Sequence, residues 1–298
     1  MAVLALTSAK GAPGVSTAAL AMTLLWPRAA LLAECDPAGG SSVLAGYLRG
    51  TVEHSRGLLP LALAQRHNEL EQSLWSQTVP LTETTAPGTG AAGRGAPEHR
   101  WLLPGLSDAA QAPSTAALWG PLGSLLASLE RAGTDVIVDA GRLGAAHAPT
   151  ALLRQADLVL LVMGTNLPAV AAAKARLNVL RADLSVTGSA GRTDARLSSL
   201  GLLLVGVGRP YSAKEISAVC GVPAVASLAW DPASAEVLAA GATPGRRFET
   251  SPLVRSTRAA ISASSALISQ RRDRLAPPAP ATTSLAAHLL SREAASDA

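Results

Sequence analysis

The chain has 298 residues, of which 48% are hydrophobic, so it can bury the core of one large domain or two small ones. Its formal net charge of +4, from 25 basic and 21 acidic residues, does not by itself indicate a nucleic-acid-binding protein. Two cysteines without metal-binding spacing, no apolar run of about 18 residues and no basic residue ahead of the first apolar stretch predict a cytoplasmic chain without a membrane-spanning helix or a signal peptide.

Short apolar runs, taken in chain order, predict buried strands, because none of them shows the polar alternation of a half-buried strand. Helix-like stretches lie between these runs, which predicts an α/β fold with a doubly wound, mostly parallel sheet. In such sheets ligands bind beyond the carboxyl ends of the strands. The predicted strands are 2–6, 29–34, 135–140, 156–163, 200–207 and 223–230, and the predicted helices are 16–25, 113–132, 167–184 and 212–220.

We predict one domain over residues 1–275, followed by a Pro-rich linker and a short flexible tail over 276–298. Within the domain, the Gly-, Pro- and Thr-rich segment 82–100 predicts a mobile loop. The tail is either a peptide that docks onto another protein or a segment that binds nothing. Three arginines near the end of the domain either contact nucleic-acid phosphates or complement the negative end of a helix, and the second alternative is preferred: Arg271, Arg272 and Arg274.

The stretch "AVLALTSAKGAPGVST" predicts a phosphate-binding loop, because a buried strand leads through a glycine-bearing turn into a helix. Gly11 and Gly14 permit backbone angles that other residues avoid. Ser16 and Thr17 open the helix, whose free N–H groups and positive dipole end attract phosphate. The alternative is a plain strand-to-helix turn that binds nothing.

The stretch "KGAPGVST" resembles the deviant Walker A motif, K-G-G-x-G-K-[ST]-T, of the MinD/ParA family of SIMIBI-class P-loop ATPases. In that family the first lysine, which Lys10 matches, reaches the partner's phosphates across a nucleotide-sandwich dimer. Ala12 and Pro13 depart mildly from the motif, whereas Val15 departs severely because it replaces the phosphate-loop lysine. The resemblance implies that the nucleotide is bound by Lys10, Gly11, Ala12, Pro13, Gly14, Val15, Ser16 and Thr17.

The resemblance continues along the chain to about residue 260, in the family's order. The stretch "ECDPAGG" resembles the switch I motif, with Asp36 on the aspartate that positions the attacking water and Glu34 where the family has another aspartate. The stretch "TDVIVDAGRLG" resembles the Walker B strand, with Asp139 on the aspartate that holds magnesium through water. The resemblance implies catalytic roles for Asp36 and Lys10, and a magnesium site formed by Ser16, Asp36 and Asp139.

The valine changes what such a site can do. A charge-assisted hydrogen bond contributes about 1.5–3 kcal/mol, so its loss predicts nucleotide binding weakened roughly 10- to 150-fold. Phosphoryl transfer depends on charge neutralisation, so at most a slow ATPase is expected. At the base, glycines and valine over 206–208 stand where active relatives often carry an asparagine, which leaves adenine specificity open. Arg209 either stacks on the base or is a solvated loop arginine.

We therefore expect ATP and Mg²⁺ as the cofactors of a weakened site, a homodimer, and a protein partner, with DNA or a membrane surface as other partners. The leading hypothesis is an atypical, regulatory MinD/ParA-like protein that positions or scaffolds other components. TadZ/CpaE-like members, which localise pilus or secretion machinery, are its nearest analogues by resemblance. An active ParA/MinD-type ATPase and a nucleotide-independent interaction module are the alternatives. We expect a cytoplasmic protein, or one held at a membrane through a partner.

Overall fold

The structure, a computed structural model, describes residues 3–10, 14–81, 99–185 and 199–275. The strands in this part of the chain are β1 (Val3–Ser8), β2 (Ala30–Glu34), β3 (Val79–Pro80), β4 (Arg100–Leu103), β5 (Asp135–Arg142), β6 (Leu158–Gly164), β7 (Leu200–Val205) and β8 (Ala224–Leu228). They form one sheet in the order β3-β4-β2-β5-β1-β6-β7-β8. Only the short β3 runs antiparallel to its neighbour; the other pairs are parallel, as predicted.

Helices cover both faces of the sheet. They are α1 (Val15–Leu25), α2 (Leu58–Arg66), α3 (Leu70–Ser73), α4 (Trp119–Ser128), α5 (Thr150–Leu153), α6 (Leu167–Ser185), α7 (Ala213–Cys220), α8 (Pro232–Ala240) and α9 (Pro252–Leu275). Side chains of α1, α8 and α9 pack into one core layer, and those of α2 to α7 pack into the other. The predicted doubly wound α/β fold is therefore confirmed. No helix in the described ranges has the length and apolar character needed to cross a membrane.

Strand β1 shows why the strand sequences lack polar alternation. Val3 and Ala5 belong to the core layer on one face of the sheet. Leu4 and Leu6 belong to the layer on the other face, and all four residues are at most 3% exposed. A strand buried on both faces has no position that favours a polar side chain. Strand β8 departs from this pattern, since it lies at the sheet edge and most of its residues are partly exposed.

The sequence predictions were wrong at two places. The single helix predicted over 113–132 is broken into a 3-10 turn (Ala109–Thr115), helix α4 and a second 3-10 turn (Leu129–Ala132). Pro113 lies in the first turn, and proline has no N–H to continue a helical ladder. The loop predicted over 82–100 ends before Arg100, which begins strand β4 and is 1% exposed. Residues 82–98, and the predicted tail over 276–298, lie outside the described ranges.

The arginines at the end of α9 differ in their surroundings. Arg272 pairs with Glu130 and lies 3.1 Å from a carboxylate oxygen of Asp157. Arg271 donates a hydrogen bond to the backbone carbonyl of Asp157. The Arg272 hydrogen bond lowers the pKa of Glu130 to about 2. These contacts tie α9 to the amino-terminal end of the sheet and favour the structural alternative for Arg271 and Arg272, while Arg274 is exposed.

The strand order determines where a ligand could bind. Strand β1 lies in the centre of the sheet, with β5 on one side and β6 on the other. The chain leaves β1 for β2, on the far side of β5, whereas β5 is followed by β6 across β1. Such a reversal of direction is the point at which open α/β sheets bind ligands. The carboxyl ends of β1, β2 and β5 are therefore neighbours, and Asp139 pairs in register with Leu6 on one side and Glu34 on the other.

Candidate functional site

A cleft of about 290 Å³ opens at the carboxyl ends of β1, β2 and β5, beside the start of α1. We call it the first cleft. Most of the predicted site residues that the structure describes line it together, although they are far apart in sequence. These residues are Gly14, Val15, Ser16, Thr17, Asp36 and Asp139.

The turn into α1 requires a glycine at position 14. Gly14 has φ +95° and ψ 19°, in the left-handed region that side chains other than glycine rarely adopt. Its carbonyl accepts the N–H of Ala18 at 2.7 Å, the first helical hydrogen bond of α1. The first N–H groups of an α-helix lack intrahelical acceptors, so this end of α1 favours an anion. Gly11, Ala12 and Pro13 lie outside the described residues.

Asp139 and Ser16 both line the cleft. The Asp139 side chain is 3% exposed, and its carboxylate accepts the N–H of Gly141 at 2.9 Å. Burial raises the pKa of Asp139, the Ser16 hydroxyl and the Gly141 N–H oppose that rise, and the neighbouring Asp36 carboxylate adds to it. A buried carboxylate beside a hydroxyl offers the hard oxygen donors that Mg²⁺ prefers.

Asp36 lies against the loop that follows Asp139. A Cβ built on Gly141 would be 2.1 Å from the Asp36 carboxyl carbon, and Gly141 has φ +60°, so a side chain there is excluded by space and by conformation. One Asp36 carboxylate oxygen accepts the N–H of Ala38 at 2.9 Å, which turns the chain after β2. The half-buried Asp36 carboxylate is thereby fixed between the two loops that flank the cleft. Gly141 was not among the predicted site residues.

Glu34 has a structural role in the described fold. Its carboxylate accepts the Ser41 hydroxyl, the N–H of Val43 at 3.3 Å and the N–H of Gly105 at 3.2 Å. Burial raises the pKa of Glu34 to about 7, against the effect of these hydrogen bonds. The side chain is 6% exposed and does not line the cleft. Glu34 thus joins the segments after β2 and β4, and it supports the loop that carries Asp36.

Val15 brings an apolar group to the place where a phosphate loop usually has a cation. The side chain is 7% exposed and packs in the core layer beneath α1, in the same layer as Leu4 and Leu6. It also lines the first cleft, together with Leu20 and Val43. An isopropyl group has neither charge nor a hydrogen-bond donor. The surface of the first cleft is therefore apolar where Val15 lines it.

Lys10 and Arg209 are the two predicted site residues that the structure places outside the first cleft. Lys10 is exposed and does not line the cleft of its own chain. Arg209 is also exposed, and its guanidinium carbon lies 5.8 Å from the ring centre of Trp230. An arginine at this distance over an indole ring makes a cation–π contact. Arg209 is thus held beside Trp230, which the sequence did not single out.

A second, apolar cleft adjoins the first. It has a volume of about 390 Å³ and shares Gly14, Thr17 and Ala239 with the first cleft. Trp230, which is 47% exposed, forms part of its wall. The two clefts therefore make one continuous groove along α1, polar beside Ser16 and apolar beside Trp230. A ligand with a charged end and a flat apolar end matches that division.

The oxygen donors of the first cleft fit a magnesium ion bound together with phosphate. Within the described residues no group of three or more His, Cys, Asp or Glu side chains is suited to hold a metal ion alone. Mg²⁺ usually keeps several waters and takes one or two carboxylates together with substrate phosphates. The Ser16 hydroxyl and the Asp36 and Asp139 carboxylates supply such a set. What the site lacks is the lysine that would bind the phosphates on the other side.

No family model matches the chain, and no curated protein matches it. Solved structures do match. A ParA family ATPase from Chlorobium tepidum is 15% identical with a TM-score of 0.62, over 88% of this chain and 98% of that one. The septum site-determining protein MinD from Pyrococcus horikoshii, complexed with Mg-ADP, is 16% identical with a TM-score of 0.61, over 90% and 98%. The MinC:MinD cell division complex of Aquifex aeolicus is 15% identical with a TM-score of 0.52, over 94% and 98%. The chain thus has the fold of MinD- and ParA-type P-loop ATPases, as the sequence resemblance predicted.

Proposed function

We propose that this chain is an atypical MinD/ParA-type protein of one domain over residues 1–275 that binds ATP with Mg²⁺ weakly in the first cleft. It hydrolyses the nucleotide slowly or not at all and acts as a regulatory, positioning or scaffold protein. The observation that carries this proposal is that Ser16 and the buried carboxylate of Asp139 line the same cleft. Ser16 lies in the first turn of α1 and Asp139 lies near the end of β5, in a cleft of sufficient size for phosphates.

Each side chain has a role that follows from its position. The N–H groups at the start of α1 bind phosphate oxygens, as helix N-termini do. Ser16, Asp36 and Asp139 would hold Mg²⁺, and Asp36 would also orient a water for attack on the terminal phosphate. When bound, Mg²⁺ neutralises charge on the phosphates. Arg209 acts on the base side through Trp230, where the wall of the groove is apolar.

The replacement of lysine by Val15 supports weak binding and slow turnover. Phosphoryl transfer is catalysed mainly by positioning and by stabilising charge that spreads over the transferred phosphate. A valine does neither, because its isopropyl group has no charge and no hydrogen-bond donor. The groups proposed to hold the metal all line the cleft. Retained binding with little hydrolysis suits a protein whose bound state, rather than its turnover, is used.

We propose that the working form is a homodimer that recruits a protein partner. Lys10 is exposed and lies outside the first cleft of its own chain, which supports a role towards the nucleotide of a second copy. The Aquifex MinD structure is a complex with MinC, and a partner protein of this chain is proposed by that analogy. A TadZ/CpaE-like role in localising other machinery is the more specific form of the proposal, with the chain cytoplasmic or held at a membrane through its partner.

Calorimetric titration with Mg-ATP and Mg-ADP tests the nucleotide proposal. The wild-type chain should bind both, and Ser16→Ala should weaken binding at least about tenfold because it removes a metal ligand and leaves α1 intact. Ser262→Ala is the matched control, since Ser262 is an exposed serine on α9 whose hydroxyl donates only to the Arg258 carbonyl. Equal affinity of the Ser16→Ala variant and the wild type would contradict the proposed site.

Phosphate release separates this proposal from its alternatives. The atypical protein should form a nucleotide-dependent dimer while releasing little phosphate. Steady turnover that disappears in Lys10→Ala would instead identify an active ATPase whose charge comes from the second copy. Absence of binding at millimolar nucleotide would identify an interaction module in which the loop has no ligand.

A further inference from the structure

Arg142 is brought to the mouth of the phosphate loop by the register of the central strands. It is the last residue of β5 and pairs with Ser8, the last residue of β1. The N–H of Leu143 donates to the Ser8 carbonyl at 2.8 Å, so the two chains remain joined beyond the ladder. A register shift between Leu6 and Ser8 accommodates this pairing. The Arg142 backbone therefore lies beside the point at which the chain leaves β1 for the loop.

The Arg142 side chain differs from the rest of its strand. The seven preceding residues of β5 are buried, whereas Arg142 is exposed. It lines the first cleft, together with Ser16 and Thr17. Within the described ranges its guanidinium has neither a hydrogen bond nor an ion pair, in contrast to Arg258 and Arg272, which pair with carboxylates. A guanidinium beside a cleft with its donors uncommitted is available to a ligand.

The charged residues that line the cleft indicate that a phosphate ligand needs a cation there. Two carboxylates, Asp36 and Asp139, line it, and among its described lining residues Arg142 is the one cation. Phosphates entering the cleft would meet these carboxylates without the lysine that usually offsets them. We propose that Arg142 takes over this task and binds the phosphates of the nucleotide from the β5 side of the cleft. This inference rests on the proposed function, and it assigns the phosphate-binding cation of that site.

Arginine suits this position for a geometric reason. A guanidinium presents parallel N–H groups that bind two phosphate oxygens at once, and it stays charged throughout the physiological pH range. It approaches from the end of β5, whereas the lost lysine would have approached from α1. Since Arg142 also borders a neighbouring cleft beside α6, its side chain has space to move between the two. Arg142 is thus a binding residue for the phosphates of the nucleotide.

Calorimetry with two probes tests the assignment. The probes are Mg-ATP and Mg-tripolyphosphate, and the second has no base or ribose. Arg142→Ala should weaken the binding of both probes by about 10- to 100-fold, the factor expected for one charge-assisted contact to phosphate. Arg142→Lys should retain most of the affinity. Arg176→Ala is the matched control, because Arg176 is an exposed arginine that borders the neighbouring cleft and does not line the first one; its affinity should stay within about twofold of the wild type.

A second variant background decides whether Arg142 replaces the missing lysine. With Val15→Lys in place, adding Arg142→Ala should weaken binding by no more than about threefold, because a lysine then neutralises the same phosphates. If Arg142→Ala weakens binding in the Val15→Lys background as much as it does in the wild type, the claim that Arg142 replaces the missing lysine is overturned. Wild-type affinity in Arg142→Ala, with binding still lost in Ser16→Ala, would overturn the inference and leave the proposed function standing. If the wild-type chain binds neither probe, the proposed function falls and this inference falls with it.

Discussion

Two neighbouring residues in the first turn of α1 have opposite surroundings. Ser16 lines the first cleft together with Asp139, where a metal and phosphates would bind. Val15, one residue earlier, is 7% exposed and extends the hydrophobic core to the floor of the same cleft. The proposed metal-binding half of the site thus stands beside a valine where a phosphate loop has its lysine. The two halves depend on separate interactions, so each can be altered without the other.

The largest change in nucleotide affinity is expected for a variant that alters the proposed metal site. Asp139→Asn keeps the size and the hydrogen-bond acceptor of the side chain but removes its charge, so Mg-ATP should bind at least about 100-fold more weakly. In EDTA, without Mg²⁺, the variant and the wild type should bind ATP alike. Titration calorimetry under both conditions makes the comparison.

Asp183→Asn is the control. Asp183 is a partly exposed aspartate on α6 that lies beside Arg154 and does not line the first cleft. The expected pattern is loss for Asp139→Asn only, and only with Mg²⁺ present. A loss of the same size in EDTA would mean that Asp139 acts through the fold and not through a metal.

The next largest effect is expected for a variant that restores the phosphate-loop lysine. Val15→Lys should tighten Mg-ATP binding roughly 10- to 150-fold, since it returns a charge-assisted contact to the phosphates. Val15→Met extends the side chain without charge and separates the effect of charge from that of size. Binding no tighter in the lysine variant than in the methionine variant would count against a phosphate at this end of the cleft.

Glu34 provides a stability test away from the ligand. Its folded-state pKa of about 7 lies above the ordinary value of 4.5, so the folded chain binds more protons than the unfolded chain between these values. The free energy of unfolding should therefore fall by about 2 kcal/mol as pH rises from about 5 to about 8. Urea unfolding of the wild type and of Glu34→Gln, which cannot titrate, measures this slope.

The Glu34→Gln variant should lose most of that pH dependence while its glutamine oxygen still accepts the N–H of Gly105. Mg²⁺ and nucleotide are left out of these measurements, so ligand binding does not contribute. An equal slope in both proteins would show that Glu34 is ionised in the folded state at pH 5.

The smallest effect lies at the opposite end of the sheet. Arg272→Ala removes partly exposed pairs with Glu130 and Asp157, and such pairs contribute up to about 1 kcal/mol. Since the pKa of Glu130 is lowered to about 2, this contribution should be present above pH 4.5 and disappear as pH falls towards 2. Mg-ATP affinity should not change. A loss of affinity would indicate coupling between the two ends of the sheet.

The sequence predicted the parts of this fold that depend on local patterns. Five of the six longer strands were recognised because both faces of the sheet are covered there, which makes their sequences apolar throughout. The sixth, the edge strand β8, was recognised from its apolar sequence although it is partly exposed. Strands β3 and β4, with two and four residues, are too short for such a pattern. The helix predicted over 113–132 begins at Pro113, where a 3-10 turn forms instead.

The site was predicted in part, for a similar reason. Ser16, Asp36 and Asp139 stand in motifs that can be read along the chain, and the structure brings them to one cleft. Gly141 and Arg142 lie in the same stretch as Asp139, but their positions in the site depend on the register of β5 against β1 and on the close approach of Asp36. Neither the strand register nor the approach of Asp36 to Gly141 can be predicted from the local sequence. Glu34 lies in a motif position, yet its longer side chain reaches Ser41 and Gly105 and leaves the cleft.

The most direct test of the central claim is to follow the backbone amides at the start of α1 by nuclear magnetic resonance while Mg-ATP is added. If phosphates bind at this helix end, the signals of Gly14, Val15, Ser16 and Thr17 should shift most, and they should stay in place in Asp139→Asn. Shifts confined to other parts of the chain, or none at millimolar Mg-ATP, would contradict a nucleotide site in the first cleft.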